Sequence, residues 1–317
     1  MKYASVCDGI GAAHVAWSGL GWQCAWTSEI EPFPAAVVEH HFKPPNVGDM
    51  TAITEEMLDG YGSVDLLVGG TPCQSFSVAG LRGGLDDPRG NLALRFVQLV
   101  GVLRPSWVVW ENVPGVLSSN GGRDFGTFLG ALAELGYGFA YRVLDAQWFG
   151  VAQRRRRVFV VAHARDWRRA AAVLFERESL CGNPPTRGKT WEGVARSTAS
   201  SLTSSGRGVE RCGESRGQDD VVTVAFHPTQ DPISSSSTGG GAYDRGVMTA
   251  MAVRRLTPRE CERLQGFPDD YTLVEYRKKP AADGPRYRAL GNSMAVPVMR
   301  WIGERIDAVD SIKADNT

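Results

Sequence analysis

The chain has 317 residues, 43% of them hydrophobic, and its 35 basic and 35 acidic residues give a formal net charge of zero. This length and composition predict a globular protein with one large domain, or with a large and a smaller one. No apolar run approaches the ~18 residues that span a bilayer and the start MKYASVCDGI lacks the pattern of a secretory signal, so we expect no membrane segment and a cytoplasmic location.

The first half of the chain alternates short apolar runs with amphipathic stretches. The amphipathic stretches predict helices near residues 12–20, 32–42, 91–103 and 123–136, the last with a glycine stop at Gly136. Strands and helices in alternation predict an α/β fold with a doubly wound, mostly parallel sheet, in which ligands bind at the carboxyl ends of the strands. The apolar runs predict six strands, at residues 3–7, 24–29, 64–70, 107–112, 140–146 and 157–163.

The segment SVCDGIGAAHVAW, residues 5–17, predicts a strand, a turn at Gly9 and Gly11, and a helix. Glycines allow a ligand to approach the backbone closely, and a helix N-terminus offers free N–H groups. Glu29 ends the second predicted strand, at the spacing of a carboxylate that binds ribose hydroxyls, and Asp49 closes what we predict to be the next strand. These strand ends predict a nucleoside-cofactor pocket; alternatively, the two carboxylates only cap helices.

The glycine-rich segment GGTPCQSFSVAG, residues 69–80, carries a cysteine where an apolar run ends. A cysteine that only packs usually lies within an apolar run, where burial keeps it inert. Cys73 instead follows Pro72 at the junction of a strand and a polar loop, where a thiolate is suited to attack an electron-poor ring carbon. The six cysteines of the chain include no C-x-x-C pair, so we expect neither a metal site nor a disulfide framework and we expect free thiols.

A carboxylate ends the next apolar strand. Glu111 lies near the end of WVVWEN, residues 107–112, so it leaves a buried element at the edge where ligands bind. A carboxyl group in that position could hold or donate a proton and polarise a heteroaromatic base.

The run QRRRR, residues 153–157, leads into a predicted strand, in which alternate side chains point the same way. Arg155 and Arg157 are therefore expected to share one face and the other two arginines the opposite face. The balanced net charge argues against a nucleic-acid partner, but seven arginines and one acid lie between residues 154 and 169, so a basic face is available. The alternative is an ordinary solvated surface.

The composition changes near residue 180. From there to about residue 250 the chain is rich in Ser, Gly, Thr and Arg, which predicts a small loop-rich second region or, alternatively, a disordered insert. After it, a helix is expected to begin with Thr257 as cap, Pro258 at the first position and Glu260 closing a capping box. A final helix is expected over residues 296–309.

Five motifs, in this order after the glycine turn, resemble those of the cytosine-C5 DNA methyltransferases: GGTPCQSFS, ENVPG, QRRRR, RRLTPRECERLQGFP and RALGNSMAVPV. The resemblance covers nearly all of the chain outside about 180–250. The run GLRGGLDDPRGNL, residues 80–92, is similar to members of phage and prophage origin.

The resemblance implies a Rossmann-like, S-adenosylmethionine-dependent catalytic domain at 1–178, a smaller loop-rich target-recognition domain with a hinge at 179–287, and a C-terminal helix at 288–317 that returns to the catalytic domain. It implies four catalytic residues, Cys73, Glu111, Arg155 and Arg157. It implies that S-adenosylmethionine is bound by eight residues, Gly9, Ile10, Gly11, Glu29, Asp49, Gly70, Leu92 and Asn292.

The resemblance also implies a mechanism. A cytosine in a specific sequence of double-stranded DNA swings out of the helix, because its ring cannot be reached while it is stacked. Cys73 attacks C6, Glu111 contacts N3 and the exocyclic amine, and Arg157, with Arg155, holds the ring oxygen and a neighbouring phosphate. C5 then takes the methyl group. A monomer without an obligate protein partner, in the cytoplasm of a bacterial host, is expected.

Some residues depart from the family's pattern. Its first motif usually has an acidic residue and an aromatic where this chain has Ser5 and Cys7, and a further glycine where it has Ala12; Asp8 is also unusual. Two alternatives remain open: a tRNA substrate, against which the absence of a Cys-Phe-Thr signature argues, and a catalytically dead DNA-binding relative. In the expected recognition domain, four residues are candidates for reading bases, Arg207, Arg211, Arg216 and Gln218.

Overall fold

The computed structural model describes residues 1–72, 92–175, 222–223, 253–254 and 256–312. Within these ranges a six-stranded sheet has the strand order β2-β1-β3-β4-β6-β5. All six strands coincide with predicted apolar runs to within three residues at either end. They are β1 Lys2–Val6, β2 Gln23–Ser28, β3 Leu66–Gly69, β4 Trp107–Asn112, β5 Tyr137–Asp145 and β6 Arg156–Ala164.

Helices connect and flank the strands. The predicted capping box of Thr257 and Glu260 is present at the start of the helix Pro258–Gln265. The helix Trp167–Leu174 was not expected from the sequence. In the part of the chain that the structure describes, no helix combines the length and the apolar character needed to cross a membrane. The helices are α1 Ala12–Trp17, α2 Pro32–His41, α3 Glu55–Leu58, α4 Leu92–Leu103, α5 Arg123–Glu134, α6 Trp167–Leu174, α7 Pro258–Gln265, α8 Asp283–Asn292 and α9 Val296–Ser311.

Two small antiparallel pairs lie outside the main sheet. One joins β7 Val222–Thr223 to β8 Val253–Arg254, and the other joins β9 Glu275–Tyr276 to β10 Lys279–Pro280. Apart from residues 222–223, 253–254 and 256–287, the expected recognition domain lies outside the described residues, and so do its four candidate base-reading residues.

The sheet is mostly parallel, as expected. Strands β2, β1, β3 and β4 pair in parallel, and only β6 runs against its neighbours, so β5 again points the same way as β4. Residues 146–155 join β5 to β6, and this connection is too short for the helical crossover that a parallel pair requires. The reversed strand therefore follows from the chain length between the two elements.

Side chains that alternate along each central strand enter two cores, one on each face of the sheet. In β4, Trp107 and Val109 belong to one core, while Val108 and Trp110 belong to the other. The first core is covered by α1, α6, α7 and α9, and the second by α4 and α5. Helices on both faces confirm the doubly wound α/β architecture.

Residues 256–287 pack into the first of these cores through Cys261, Phe267 and Tyr271. The hydroxyl of Tyr271 donates to the carbonyl of Ile10 at 2.7 Å, so this segment contacts the glycine turn directly. The division of the chain into domains stays a prediction.

Strand order defines where a ligand can enter. From β1 the chain moves to β2 on one side and then to β3 on the other, so the order reverses between β1 and β3. In open α/β sheets the crevice at such a reversal, outside the carboxyl ends of the strands, is where ligands bind. The glycine turn after β1 and the segment after β3 border this crevice.

The strand expected before Asp49 is absent, and that prediction was wrong. Only a single parallel bridge, between Thr27 and Asn46, forms beside β2 in this described stretch. Pro44 and Pro45 precede the bridge and Gly48 follows it with φ +78°, so the backbone can pair for only one position.

Candidate active site

The turn after β1 is built on two glycines with left-handed backbone, Gly9 at φ +59° and Gly11 at φ +77°. The Gly9 N–H donates to Oε2 of Glu29 at 2.7 Å, and the N–H of Glu31 donates to Oε1 at 2.8 Å. Burial raises the pKa of Glu29, against the opposing effect of these N–H bonds. A Cβ built on Gly9 would meet no atom within 4 Å, so the space in front of the turn is open.

The other residues expected around the cofactor differ in exposure. Asp49 and Asn292 are exposed, and Leu92 is half-buried at the start of α4. Ile10 is fully buried, and its carbonyl accepts from the hydroxyl of Tyr271. Gly70 directly follows β3.

A buried polar chain supports the turn from below. Ser5 Oγ donates to Asp8 Oδ1 at 2.5 Å, and Oδ2 of Asp8 pairs with Nε2 of His14 at 2.9 Å. Nδ1 of His14 lies 2.6 Å from the Tyr3 hydroxyl. Asp8 therefore brings a carboxylate back to Ser5, the position at which the resembling family usually has its acid.

We expect this ion pair to make stability depend on pH. Burial alone would lower the pKa of His14, but the charge and hydrogen bond of Asp8 raise it from 6.5 to about 10. The stabilisation is therefore complete below pH 6.5 and is lost as pH rises through about 10. His14→Gln should lower the free energy of unfolding by about 3–5 kcal/mol at pH 7, because it leaves Asp8 unpaired in the core.

Urea unfolding of wild type and His14→Gln at pH 7, 8.5 and 10 measures this effect. The difference in unfolding free energy between the two proteins should shrink towards pH 10, because His14 loses its proton there. The ionisation of lysines and tyrosines is common to both proteins and cancels in this difference. A difference that stays constant over this range would mean that His14 is not charged in the folded protein.

Cys7, at the centre of the turn, is not suited to nucleophilic chemistry. Burial raises the pKa of its thiol to about 12, with the charges of Glu29, Asp49 and Asp8 acting in the same direction. The thiol lies 3.5 Å from the sulfur of Met50 and stays protonated near neutral pH.

The stem of the cysteine loop is held by two hydrogen bonds to Thr71. The indole N–H of Trp110 donates to Thr71 Oγ1 at 3.0 Å, and the side-chain amide of Asn112 donates to the Thr71 carbonyl at 2.9 Å. Both donors belong to β4, so the chain after β3 is fastened to the neighbouring strand. Cys73 itself lies outside the described residues and is peptide-bonded to Pro72, the last described residue of this stretch.

Glu111 and Arg157 form an ion pair at the carboxyl edge of β4. Nε of Arg157 lies 3.2 Å from Oε1 of Glu111, and the two side chains are 16% and 11% exposed. Oε1 makes no hydrogen bond among the described residues, although it is buried. A buried acceptor of this kind costs free energy unless a further donor reaches it, which is what a ligand would supply.

Arg155 is placed differently from Arg157. Exposure alternates along the run as expected, with Arg154 and Arg156 exposed and Arg155 buried. Both terminal nitrogens of Arg155 donate to backbone carbonyls, of Gly291 and Ser293, so Arg157 is the arginine beside Glu111.

The seven arginines between 154 and 169 do not form one basic face. Arg155 is buried, Arg157 pairs with Glu111, and Arg169 donates to Asp310 at 3.0 Å. The expected face is therefore divided by the alternation of β6 and by the turn into α6.

Sequence reasoning missed several residues that shape the site. Thr71 and Asn112 were passed over as parts of longer motifs, although Asn112 directly follows Glu111 in the motif ENVPG. The amide of Gln153, the first residue of QRRRR, is fully buried and makes no hydrogen bond among the described residues. Its position as the first residue of the motif QRRRR was the only sequence feature that pointed to Gln153.

The fold of this chain is shared by a solved structure. The chain matches the crystal structure of the S. pombe Dnmt2 methyltransferase with a TM-score of 0.67, over 100% of both chains and at 18% sequence identity. At that identity the likeness shows the fold alone.

The family follows from the sequence. Residues 1–179 and 183–308 match the family described as C-5 cytosine-specific DNA methylase, and the chain belongs to this family. The family expected from the five motifs, and with it the enzyme class of DNA cytosine-C5 methyltransferases, is confirmed.

Two relatives are similar over 96% of this chain. The DNA N-6-adenine-methyltransferase of Escherichia phage P1 is 38% identical over 458 aligned positions, and the chain spans 61% of its length. Type II methyltransferase M2.BsuMI of Bacillus subtilis (strain 168) is 30% identical, with 75% of its length covered. The first of these confirms the expected likeness to phage members.

Proposed function

We propose that this protein transfers a methyl group from S-adenosylmethionine to C5 of a cytosine that is flipped out of double-stranded DNA, through a transient bond between Cys73 and C6. The observation that carries the proposal is the buried pair of Glu111 and Arg157 beside the anchored stem at Thr71. The position of Pro72 is known, and the peptide bond keeps the Cα of Cys73 about 3.8 Å from the Cα of that proline. We therefore expect the thiol of Cys73 to act at the edge of the sheet where the carboxyl group of Glu111 and the guanidinium of Arg157 lie.

Glu111 and Arg157 have the groups that the polar edge of cytosine requires. Arg157 can donate to the ring oxygen O2, and Glu111 can bond N3 and the exocyclic amine. Oε1 of Glu111 lies 3.2 Å from Nε of Arg157 but makes no hydrogen bond among the described residues, so it can still accept one from the exocyclic amine. Because the site is buried, these interactions are stronger than they would be in water.

Covalent addition makes an unreactive carbon nucleophilic. The thiolate of Cys73 adds to C6, and the proton that Glu111 and N3 share moves onto N3, so electron density accumulates at C5. After the methyl group has been added, N3 returns its proton to Glu111. A water molecule takes the C5 proton, the electrons of the C5–H bond form the C5–C6 double bond, and the Cys73 thiolate leaves C6, which restores the ring.

The glycine turn fits a nucleoside cofactor. S-adenosylmethionine supplies an electrophilic methyl group. The open space in front of Gly9 and the half-buried carboxylate of Glu29 suit a ribose with two hydroxyls. Asp49, Leu92 and Asn292 would complete the pocket, together with the backbone of residues 9–11 and 70.

Glu29→Ala should weaken cofactor binding by about 10- to 100-fold, the effect of losing a hydrogen bond to a charged group. Calorimetric titration with S-adenosylhomocysteine measures it. Glu31→Ala is the matched control, because Glu31 is a neighbouring, exposed carboxylate that contributes only its backbone N–H to Glu29. Equal losses in both variants would contradict a ribose-binding role for Glu29.

The test of the function is methyl transfer followed by identification of the product. The protein is incubated with labelled S-adenosylmethionine and either duplex DNA of mixed sequence or tRNA, and the nucleosides are separated. We expect label in 5-methylcytosine from DNA. Label in tRNA, or no transfer by a protein that binds DNA, would favour one of the two alternatives instead.

The same separation of nucleosides also tests for methylation of adenine N6, the position given in the name of the phage P1 relative. An exocyclic amine carries its own lone pair and needs no thiol for activation, so the Cys73 segment favours cytosine C5. Label in N6-methyladenine would contradict the proposal.

A further inference from the structure

Arg155 is a buried cation whose donors hold a distant part of the backbone. Nη1 donates to the carbonyl of Gly291 at 3.2 Å and Nη2 to that of Ser293 at 2.6 Å, and the residue is 3% exposed. These two carbonyls stand on either side of Asn292, whose side chain is exposed. We propose that Arg155 is a positioning residue that fixes the backbone around Asn292 and so aligns the cofactor side of the site with the base side. The inference rests on the proposed function.

The base side of this link is rigid. The backbone N–H of Arg155 donates to Oδ1 of Asp145 at 3.0 Å, and its carbonyl accepts from the N–H of Ala146 at 3.0 Å. The charges of Arg157 and Glu111 both act on the Arg155 guanidinium, so it lies within electrostatic range of the pair expected to bind the base. Arg155 is also two residues from Arg157 along the chain, so the two guanidinium groups belong to the same segment.

The segment after α8 also reaches the other side of the site. A Cβ built on Gly70 would lie 3.0 Å from the methyl carbon of Met294 and 3.2 Å from Oε2 of Glu111. Residues 291–294 thus contact Arg155 through two carbonyls and approach Gly70 through Met294. Asn292, Gly70 and Glu111 belong to three separate parts of the chain, and this segment brings them into one contact network.

Arginine suits this position better than lysine. Its planar fork presents separate nitrogens to two acceptors, and a guanidinium is less strongly hydrated than an ammonium, so burying it costs less. A lysine has one nitrogen at the end of its chain and cannot occupy both donor positions. Arg155→Lys therefore keeps the charge but cannot form both hydrogen bonds, to the carbonyls of Gly291 and Ser293, that flank Asn292.

Arg305 is a matched control. It too holds carbonyls, of Val173 at 2.5 Å and of Phe175 at 3.3 Å, where α6 ends. None of the residues expected in the active site lies in that contact. Arg305→Lys should therefore cost stability in the same way without affecting the site.

The experiment is titration of wild type, Arg155→Lys and Arg305→Lys with S-adenosylmethionine by calorimetry, with steady-state rates on DNA. Arg155→Lys should raise the dissociation constant about tenfold or more and raise KM for the cofactor more than it lowers kcat, while Arg305→Lys changes either by less than about twofold. Unchanged cofactor affinity in Arg155→Lys, or an equal loss in both variants, would overturn the inference alone. A wild type that does not bind the cofactor would overturn the proposed function, and this inference with it.

Hydrogen exchange on the wild type gives an answer even if Arg155→Lys does not fold. Addition of S-adenosylmethionine should slow amide exchange in residues 289–294 and also in 155–157, because the two segments are joined through the guanidinium. Protection of 289–294 with no change in 155–157 would overturn the proposed link.

Discussion

Replacing Cys73 by alanine is expected to abolish methyl transfer, with a loss on the order of 10⁶-fold, the scale seen when a catalytic nucleophile is removed. Without addition to C6, C5 of cytosine remains too poor in electrons to be alkylated. The cofactor pocket is built from other residues, so binding of S-adenosylmethionine should persist. Transfer of labelled methyl to duplex DNA under single-turnover conditions measures the first effect, and calorimetric titration the second.

Cys24→Ala is the control for this variant. Cys24 is a half-buried cysteine near the amino end of β2; it forms no disulfide, and its thiol interacts with His14 beneath the glycine turn. Its loss should leave the rate close to that of wild type. If Cys73→Ala still methylated C5 at near wild-type rate, the covalent mechanism would be wrong.

Glu111→Gln is expected to lower kcat by about 10²- to 10⁴-fold, the contribution of a well-placed acid or base. Glutamine has nearly the same shape, so the contact with the exocyclic amine can persist, but an amide cannot exchange a proton with N3. The loss should therefore appear in the chemical step and not in binding of DNA. Single-turnover rates and DNA affinity, measured on the same preparation, separate the two.

Glu262→Gln provides the comparison for a buried ion pair outside the site. Glu262 is fully buried, and its Oε1 accepts from Nη2 of Arg286 at 3.2 Å and from the N–H of Thr272 at 2.8 Å. We expect this variant to lose stability while its kcat stays within about threefold of wild type. A similar fall in kcat for both variants would show that loss of a buried pair, and not loss of proton exchange at N3, explains the effect of Glu111→Gln.

Most of the fold could be predicted because its signals are local. Each central strand is a short apolar run bounded by glycine, proline or polar residues, and the capping box at Thr257 lies within four residues. The reversed direction of β6 was not predicted, although the short connection from β5 carried that information. The strand predicted before Asp49 is absent because Pro44 and Pro45 have no N–H to donate to a neighbouring strand.

The candidate site was predictable only in part. The sequence identified Glu111 and the arginine run because each stands at the end of an apolar strand. The carbonyls that hold Arg155 lie 136 and 138 residues further along the chain, so no local pattern could reveal them. The same is true of Tyr271, which bonds the glycine turn from 261 residues away. Tertiary packing decides which side chains of a motif remain available to a ligand.

The most direct test of the covalent mechanism is trapping on fluorinated DNA. A duplex of mixed sequence, with 5-fluorocytosine in place of cytosine on one strand, is incubated with the protein and S-adenosylmethionine. Fluorine at C5 cannot leave as a proton does, so we predict a stable protein–DNA complex, with the modified base attached to the peptide that contains Cys73. Absence of any such complex, from a preparation that methylates the ordinary duplex, would contradict the account.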